Sequence, residues 1–411
     1  MPIIEQLQLA KQAAGKLRIA TTEQKNNFLA KLADLILQNK KEILSANAKD
    51  IEGAKDLPEA MKKRLLLTDV SFDAIAQGVR QIIDLPDPIG QVVSSWKTDA
   101  GLKINKTRVP IGVIFFVFES RPNVIVDAAA LAIKSGNVLL ARGGKEAAHS
   151  NDILEKLIKV ALTASGLSEN CAMQLADKSH EAIYEVVKHS EYVDLAVARG
   201  RAQLINAVKE HSQVPVIAHE RGVCHIYIDE FADKDMAINI VVNAKTSNPA
   251  TCNSAEAVLI HRAVADKILP DLLQALLEKG VEIRGDQRVC GMNERCHPAA
   301  ESDWGREFLD LILAVKVVDD FAVAMAHIEK YGSRHSDAIV TMDQARAEQF
   351  LNQVNNAASL VNVSTRLVDG GVFGLGAEFG ISTASIHMRG PMGLDDLTVT
   401  KYVVLGNGQI R

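Results

Sequence analysis

Residues Val113 to Ala141 read VIFFVFESRPNVIVDAAALAIKSGNVLLA, and this stretch decides the fold. Val113-Ile114-Phe115-Phe116-Val117-Phe118 is apolar at every position, which suits a parallel strand buried on both faces. Asn123 to Lys134 has the spacing of a helix, Gly136 stops it, and Val138-Leu139-Leu140-Ala141 begins the next strand. The alternation continues with a helix from Glu146 to Ser165 and strands over Ala172 to Leu175 and Val193 to Val197. The helix Ala202 to Lys209 and the strand Val214 to Ile217 complete the series. A second series starts near Cys224: strand His225 to Ile228, helix Met236 to Ala244, strand Ala257 to Ile260, helix Ala263 to Lys279. Leu311 to Val318, Phe321 to Tyr331 and Ala338 to Thr341 carry it on. Strands that alternate with helices predict doubly wound α/β sheets.

The flanks differ. The first part is helical, opened by the capping-box pattern Thr21-x-x-Gln24 and continued by Ile43 to Ala48 and Pro58 to Leu66. Trp96 to Thr107 gives two alternating runs about a glycine turn, a polar hairpin with no core of its own. The segment Gly370 to Arg411 is glycine-rich and ends in a strand-like Thr398 to Leu405.

A chain of 411 residues is too long for one core, and 47% hydrophobic with 24% charged residues is ordinary for a globular protein. A net charge of −5 offers no electrostatic footprint for nucleic acid or an anionic membrane. The opening MPIIEQLQLAKQAAGK lacks the apolar run of a signal peptide. The five cysteines are scattered, which points to reduced thiols in a cytoplasm rather than a disulfide framework. Cys290 and Cys296-His297 do not match zinc-ligand spacing, so no metal site is expected.

One thiol stands apart. In NAKTSNPATCNSAEAVLIH, Asn243 to His261, a polar turn-rich run precedes Cys252 and an apolar strand follows it. A strand that fixes a loop presenting a thiol is the arrangement a nucleophile needs, although free cysteine is also a common buried hydrophobe. Two strand-to-helix loops, Arg142-Gly143-Gly144-Lys145 and Arg199-Gly200-Arg201, combine glycines, cations and a helix N-terminus, which suits phosphate. Neither is a complete dinucleotide fingerprint, and each is equally read as glycines that end a strand. Glu119-Ser120-Arg121-Pro122-Asn123 follows the most apolar strand, where open α/β sheets bind ligands. Asn123 either donates its amide to an oxyanion or caps its helix, and Ser120 and Arg121 are candidates for an anionic substrate group.

The order of these pieces resembles the aldehyde dehydrogenase superfamily. Phe118 to Asn123, Lys134-Ser135-Gly136-Asn137, Arg142 to Lys145 and Asn243-Ala244-Lys245-Thr246 leading to Cys252-Asn253 carry the resemblance, which spans essentially the whole chain. Within the superfamily they are similar to the branch of proline biosynthesis that reduces L-glutamyl 5-phosphate to its semialdehyde. The resemblance implies that Cys252 is the nucleophile, Asn123 the oxyanion donor, and Glu220 the counterpart of the general base. It implies that Arg142, Gly143, Gly144, Lys145, Arg199 and Gly200 line the cofactor, with Glu307 on the nicotinamide ribose. Lys145 falls where NAD-preferring members often carry a glutamate, so NADPH or NADP is the expected cofactor. The fold it implies is aldehyde dehydrogenase-like: two doubly wound α/β domains plus a small discontinuous oligomerisation element. The expected partition is 1–221 for the dinucleotide, 222–384 for the cysteine, and 95–108 with 385–411 for contact with another subunit. A hydrolytic aldehyde oxidation on the same fold is the rival reaction and would depend on Glu220. A silent nucleotide-binding scaffold is a further alternative.

Overall fold

The computed structural model describes residues 1–57, 59–119, 121–200, 202–218, 221–375, 378–385 and 388–410. The chain divides into two compact units, 1–218 with 374–380 and 392–411, and 219–373 with 381–391. The expected boundaries at 221/222 and 384/385 differ from these. The hairpin and the last strand belong to the first unit.

In the first unit, β3 (Val113–Phe118) is buried at all its positions and has a parallel neighbour on each side, the place of a central strand in a sheet covered on both faces. Those neighbours are β4 (Val138–Gly143) and β6 (Leu195–Arg199), and β5 (Ala172–Gln174) and β7 (Val216–Ala218) complete the order β5-β4-β3-β6-β7. The helix Asn123–Lys134 covers this sheet with an almost wholly buried apolar surface, and Gly136 (φ +77°) ends it in the left-handed region. Lys134 is buried too, its ammonium held by Asn26 Oδ1 at 2.6 Å and the Ile83 carbonyl at 3.0 Å. Asn137 accepts from Gly112 N–H (2.9 Å) and donates to the Leu397 carbonyl (2.8 Å), tying the C-terminal segment to the strand.

The Thr21 capping box forms as its pattern predicts, on the helix Thr22–Gln38. A helix at Asp69–Asp84, which the reading of the sequence passed over, buries Phe72, Ile75, Ala76, Val79 and Ile82. The hairpin β1 (Val92–Lys97) and β2 (Lys103–Pro110) pairs with β17 (Thr398–Leu405) in an antiparallel three-stranded sheet. Val92, Val93, Trp96, Val399, Tyr402, Val404 and Leu405 are exposed on it, and Trp96 meets Tyr402 edge-on at 6.1 Å.

The second unit holds a parallel sheet of seven strands. In chain order they are β8 (Cys224–Ile228), β9 (Ala255–His261), β10 (Glu282–Gly285), β11 (His297–Pro298), β12 (Ile312–Val318), β13 (Ser336–Val340) and β14 (Ala358–Val361). Their spatial order is β11-β10-β12-β9-β8-β13-β14, with the wholly buried β8 and β9 at the centre. A short ladder of β15 (Ile381–Ser382) and β16 (Gly390–Pro391) stands apart from it. Among the described residues no helix is long and apolar enough to cross a membrane.

Phe116 is buried in the first core, stacked on Phe118 (5.5 Å between ring centres) and tilted against Phe379 (4.6 Å). Phe116→Ala is expected to cost about 3–5 kcal/mol of unfolding free energy, as large buried truncations do. A denaturant titration followed by circular dichroism measures it, and a midpoint unchanged from wild type would refute the assignment.

Candidate active site

In the second unit the cysteine loop is suspended between a helix and a strand. Asp233 caps the helix Lys234–Thr246 by accepting from Met236 N–H at 2.8 Å. Eight residues, 247–254, then lead into β9, and Cys252 sits among them half-buried. The two feet of the loop are joined by an ion pair, Lys245 Nζ to Glu256 Oε2 at 2.7 Å, both side chains out of water. Ser254 Oγ adds a bond to the Ala244 carbonyl at 3.2 Å. Inside the loop, Thr251 Oγ1 lies 2.9 Å from the Asn248 carbonyl and from Asn253 Oδ1, and Asn253 Nδ2 donates to the Val368 carbonyl at 2.9 Å. The loop is therefore ordered by its own polar residues, which is why the sequence before the cysteine is polar.

Cys224 lies behind Cys252, its thiol donating to the Cys252 carbonyl at 3.2 Å. Burial pushes the Cys224 thiol well above its usual range and the Cys171 thiol up to about 11, and burial raises Cys296 as well. Cys252 and Cys290 are the two half-buried thiols, and Cys290 leans on the Gly285 carbonyl at 3.4 Å.

Gly222 joins the cysteine to Glu307. A β-carbon at Gly222 would overlap the Cys252 carbonyl oxygen, so only glycine permits this approach. The Gly222 N–H donates to Glu307 Oε1 at 2.8 Å. Two residues expected from the sequence, Cys252 and Glu307, are thus brought to either side of one glycine. Glu256 reaches the same segment, accepting weakly from Leu309 N–H at 3.4 Å, and Leu309 holds the strained left-handed value φ +56°. Burial raises the Glu256 carboxyl to about 7 against the pull of Lys245, while burial lowers Lys245. Glu220 lies outside the described residues, as do Ser120 and Arg201.

Arg366, which the sequence did not single out, also grips the loop. Its Nε donates to Ser247 Oγ at 3.2 Å and its Nη1 to Asn253 Oδ1. The Ser364 side chain fixes its backbone by capping the turn Thr365–Leu367.

In the first unit the register aligns Phe118 with Gly143 on one side and Arg199 on the other, so three candidate loops leave one carboxyl edge together. Strand order reverses between the parallel β3 and β6, which makes this edge a topological switch point. Arg142 is buried, with Nη2 on the Lys178 carbonyl at 2.7 Å and Nε without a partner among the described residues. Burial lowers its pKa, opposed by Glu146, Glu119 and Asp177. Lys145 is exposed at the first residue of the turn Lys145–Ala147. Arg199 lies half-buried, its Nη1 3.3 Å from the Phe379 carbonyl.

The glycines have a plainer cause than the sequence implied. A β-carbon at Gly143 would collide with the Asn151 amide, at Gly144 with the Glu146 carboxylate, and at Gly200 with Glu119. They make room for the protein's own side chains. Glu119 and Glu146 also set two carboxylates among the cations of this edge.

Asn123 begins its helix rather than capping it, since Pro122 holds the cap position without a side-chain bond. Its amide donates to Asp127 Oδ2 at 3.0 Å. Burial raises Asp127 to about 6, with the Asn123 bond and Arg199 pulling the other way. Asp127 was missed in the sequence, though a lone acid within VIVDAAALAI is a visible signal. Arg121 is half-buried beside it in the chain.

The aldehyde dehydrogenase family model matches residues 3–289. A gamma-glutamyl phosphate reductase of Halothermothrix orenii is 46% identical over 100% of this chain and 98% of its own. One from Enterococcus faecalis is 48% identical over 98% and 97%. The crystal structure of gamma-glutamyl phosphate reductase from Thermotoga maritima superimposes with a TM-score of 0.96 at 41% identity, covering 100% of this chain and 99% of that one.

Asp127 gives the first unit a pH signature. Its carboxyl titrates at about 6 when folded, against about 4 when unfolded. Between those values the native state binds the extra proton, so stability falls as pH rises through the window. Asp127→Asn is expected to remove that slope and to be more stable than wild type at pH 7.5. Denaturant midpoints across pH 4–7.5 test this, and an unaltered slope in the variant would count against the assignment.

Proposed function

This chain belongs to the aldehyde dehydrogenase family and, within it, to the gamma-glutamyl phosphate reductases, and from that premise we propose that it reduces L-glutamyl 5-phosphate to L-glutamate 5-semialdehyde and phosphate with NADPH. The observation that carries the reading is the Cys252 loop: a half-buried thiol on a hydrogen-bonded loop, linked through Gly222 to Glu307.

The Cys252 thiolate attacks the acyl carbon and phosphate leaves with the bonding electron pair, giving a thioester. The Cys252 N–H and the Asn123 amide are assigned to the oxyanion. Asn123 has a second amide hydrogen beyond the one given to Asp127, so the role is chemically open to it. Bound NADPH supplies the hydride that turns the thioester into a thiohemiacetal. Collapse of that adduct releases the aldehyde and returns the thiol. Arg142, Gly143, Gly144, Lys145, Arg199 and Gly200 are assigned to the cofactor, with Glu307 on its nicotinamide ribose. The buried Arg142, whose Nε has no partner among the described residues, and the exposed Lys145 fit a phosphorylated ribose. Ser120 and Arg121 are assigned to the substrate. Reduction needs no water, so Glu220 is not required as a hydrolytic base in this direction.

The reverse reaction tests the proposal. NADP⁺ reduction by the semialdehyde is expected to depend absolutely on inorganic phosphate, to run faster than with NAD⁺, and to vanish in Cys252→Ser. Turnover without phosphate that collapses in Glu220→Ala would establish hydrolytic oxidation instead.

The three-stranded sheet is assigned to self-association, because isolated strands with exposed Trp96, Tyr402, Val404 and Leu405 leave apolar surface uncovered. Sedimentation velocity is expected to give an oligomer that Tyr402→Asp dissociates, and a wild-type monomer would end this assignment.

A further inference from the structure

Arg366 has an unspent hydrogen-bonding edge beside the nucleophile's loop. Two of its three guanidinium nitrogens are engaged, Nε with Ser247 Oγ at 3.2 Å and Nη1 with Asn253 Oδ1. Those partners stand on either side of Cys252 in the chain, one of them its immediate neighbour. Both are neutral. Nη2 has no partner among the described residues, and no described carboxylate forms an ion pair with this side chain.

That arrangement is unusual for the cation's surroundings. A half-buried guanidinium loses part of its hydration, and neutral acceptors return little of the cost. The neighbouring cation in the loop is fully used, since Lys245 is sealed against Glu256. Arg221 is exposed and turned to the Gly305 carbonyl at 3.2 Å. Arg366 alone of these is aimed at the loop, held at two points and left with donors to give. A rigid guanidinium fork with free N–H groups matches the paired oxygens of a carboxylate or phosphate.

We infer that Arg366 is a substrate-binding residue that takes an oxyanion of the substrate as its missing counter-charge. This deepens the proposed reaction and rests on it, because the acyl phosphate carries such a group at both ends: the leaving phosphate and the remote carboxylate. The contacts to Ser247 and Asn253 orient the fork, so the same side chain sets the loop and reads the charge of what binds there.

The test uses the full-length enzyme and the variants Arg366→Gln and Arg366→Lys, with thermal melting to establish that each is folded. The reverse reaction separates the two anion sources. A tenfold or greater rise in KM for phosphate, with KM for the semialdehyde unchanged, assigns the fork to the leaving group. The opposite pattern assigns it to the carboxylate, and KM for butanal, which lacks that group, should then not rise in Arg366→Gln whatever happens to kcat. Lysine is expected to recover part of the loss because it keeps the charge. A second readout does not need turnover: inorganic phosphate or L-glutamate should protect Cys252 from iodoacetamide in wild type, and the protecting concentration should rise at least tenfold in Arg366→Gln. If both KM values and both protection curves are unchanged while kcat and the alkylation rate fall, Arg366 only clamps the loop and the inference is overturned. Loss of protection in an enzyme that shows no phosphate-dependent turnover would keep the anion site and remove the proposed reaction.

Discussion

The buried ion pair between Lys245 and Glu256 is the constraint on which the cysteine loop depends. The pair joins the last turn of one helix to the first residues of β9, and everything between its members is the loop. Removing one partner of such a pair typically costs about 3–5 kcal/mol, because the other charge is left buried and alone. A hydrophobic pair of equal volume would hold the same two elements together without that risk. Charge adds direction: Glu256 has a second oxygen, and it reaches the Leu309 N–H on the segment that carries Glu307. Apolar packing at this position would hold the loop's feet but could not fix the neighbouring segment through a hydrogen bond.

The two units use opposite edges of their sheets. In the first, the candidate loops follow the carboxyl ends of β4, β3 and β6, at the reversal of strand order. In the second, Cys252 precedes β9, Gly222 precedes β8 and Glu307 precedes β12, so the candidate residues gather at the amino ends. The difference follows from what each edge offers. Carboxyl ends feed helix N-termini, whose free N–H groups suit anions. Amino ends receive the chain from helix C-termini, where a loop must find its own partners, and the polar residues from Ser247 to Ser254 are those partners.

Much of the fold was legible because burial is strongly patterned. Val113–Phe118, Asn123–Lys134, Phe321–Tyr331 and Thr398–Leu405 have the same limits in sequence and structure. The helix Asp69–Asp84 was equally legible in principle, since its buried residues recur at helical spacing. The short strand Glu282–Gly285 was not, because half its residues are polar and only its pairing with β12 and β11 makes it a strand. In the site, Cys252 could be named from its surroundings and Glu307 through the family resemblance, but the glycine that links them could not. Gly222 looks like any loop glycine until the Cys252 carbonyl is seen against it. Arg366 was hidden for a similar reason. More than a hundred residues separate it from Asn253, and no local pattern records that contact.

Family resemblance and chemistry also part company in an instructive place. Lys134-Ser135-Gly136-Asn137 is among the most recognisable pieces of the sequence, yet its side chains face inward. Lys134 holds Asn26 and the Ile83 carbonyl, and Ser135 returns to its own helix. Asn137 joins Gly112 to Leu397. The glycines of Arg142 to Lys145 likewise yield to Asn151 and Glu146. A motif can therefore identify a fold through residues, such as Lys134 and Asn137, whose side chains hold its elements together. The groups proposed for reaction are marked differently: by a thiol left half-exposed, or a guanidinium with donors unspent. Those marks are visible only when the partners of each group are counted, and at the cysteine loop Arg366 has no carboxylate partner among the described residues.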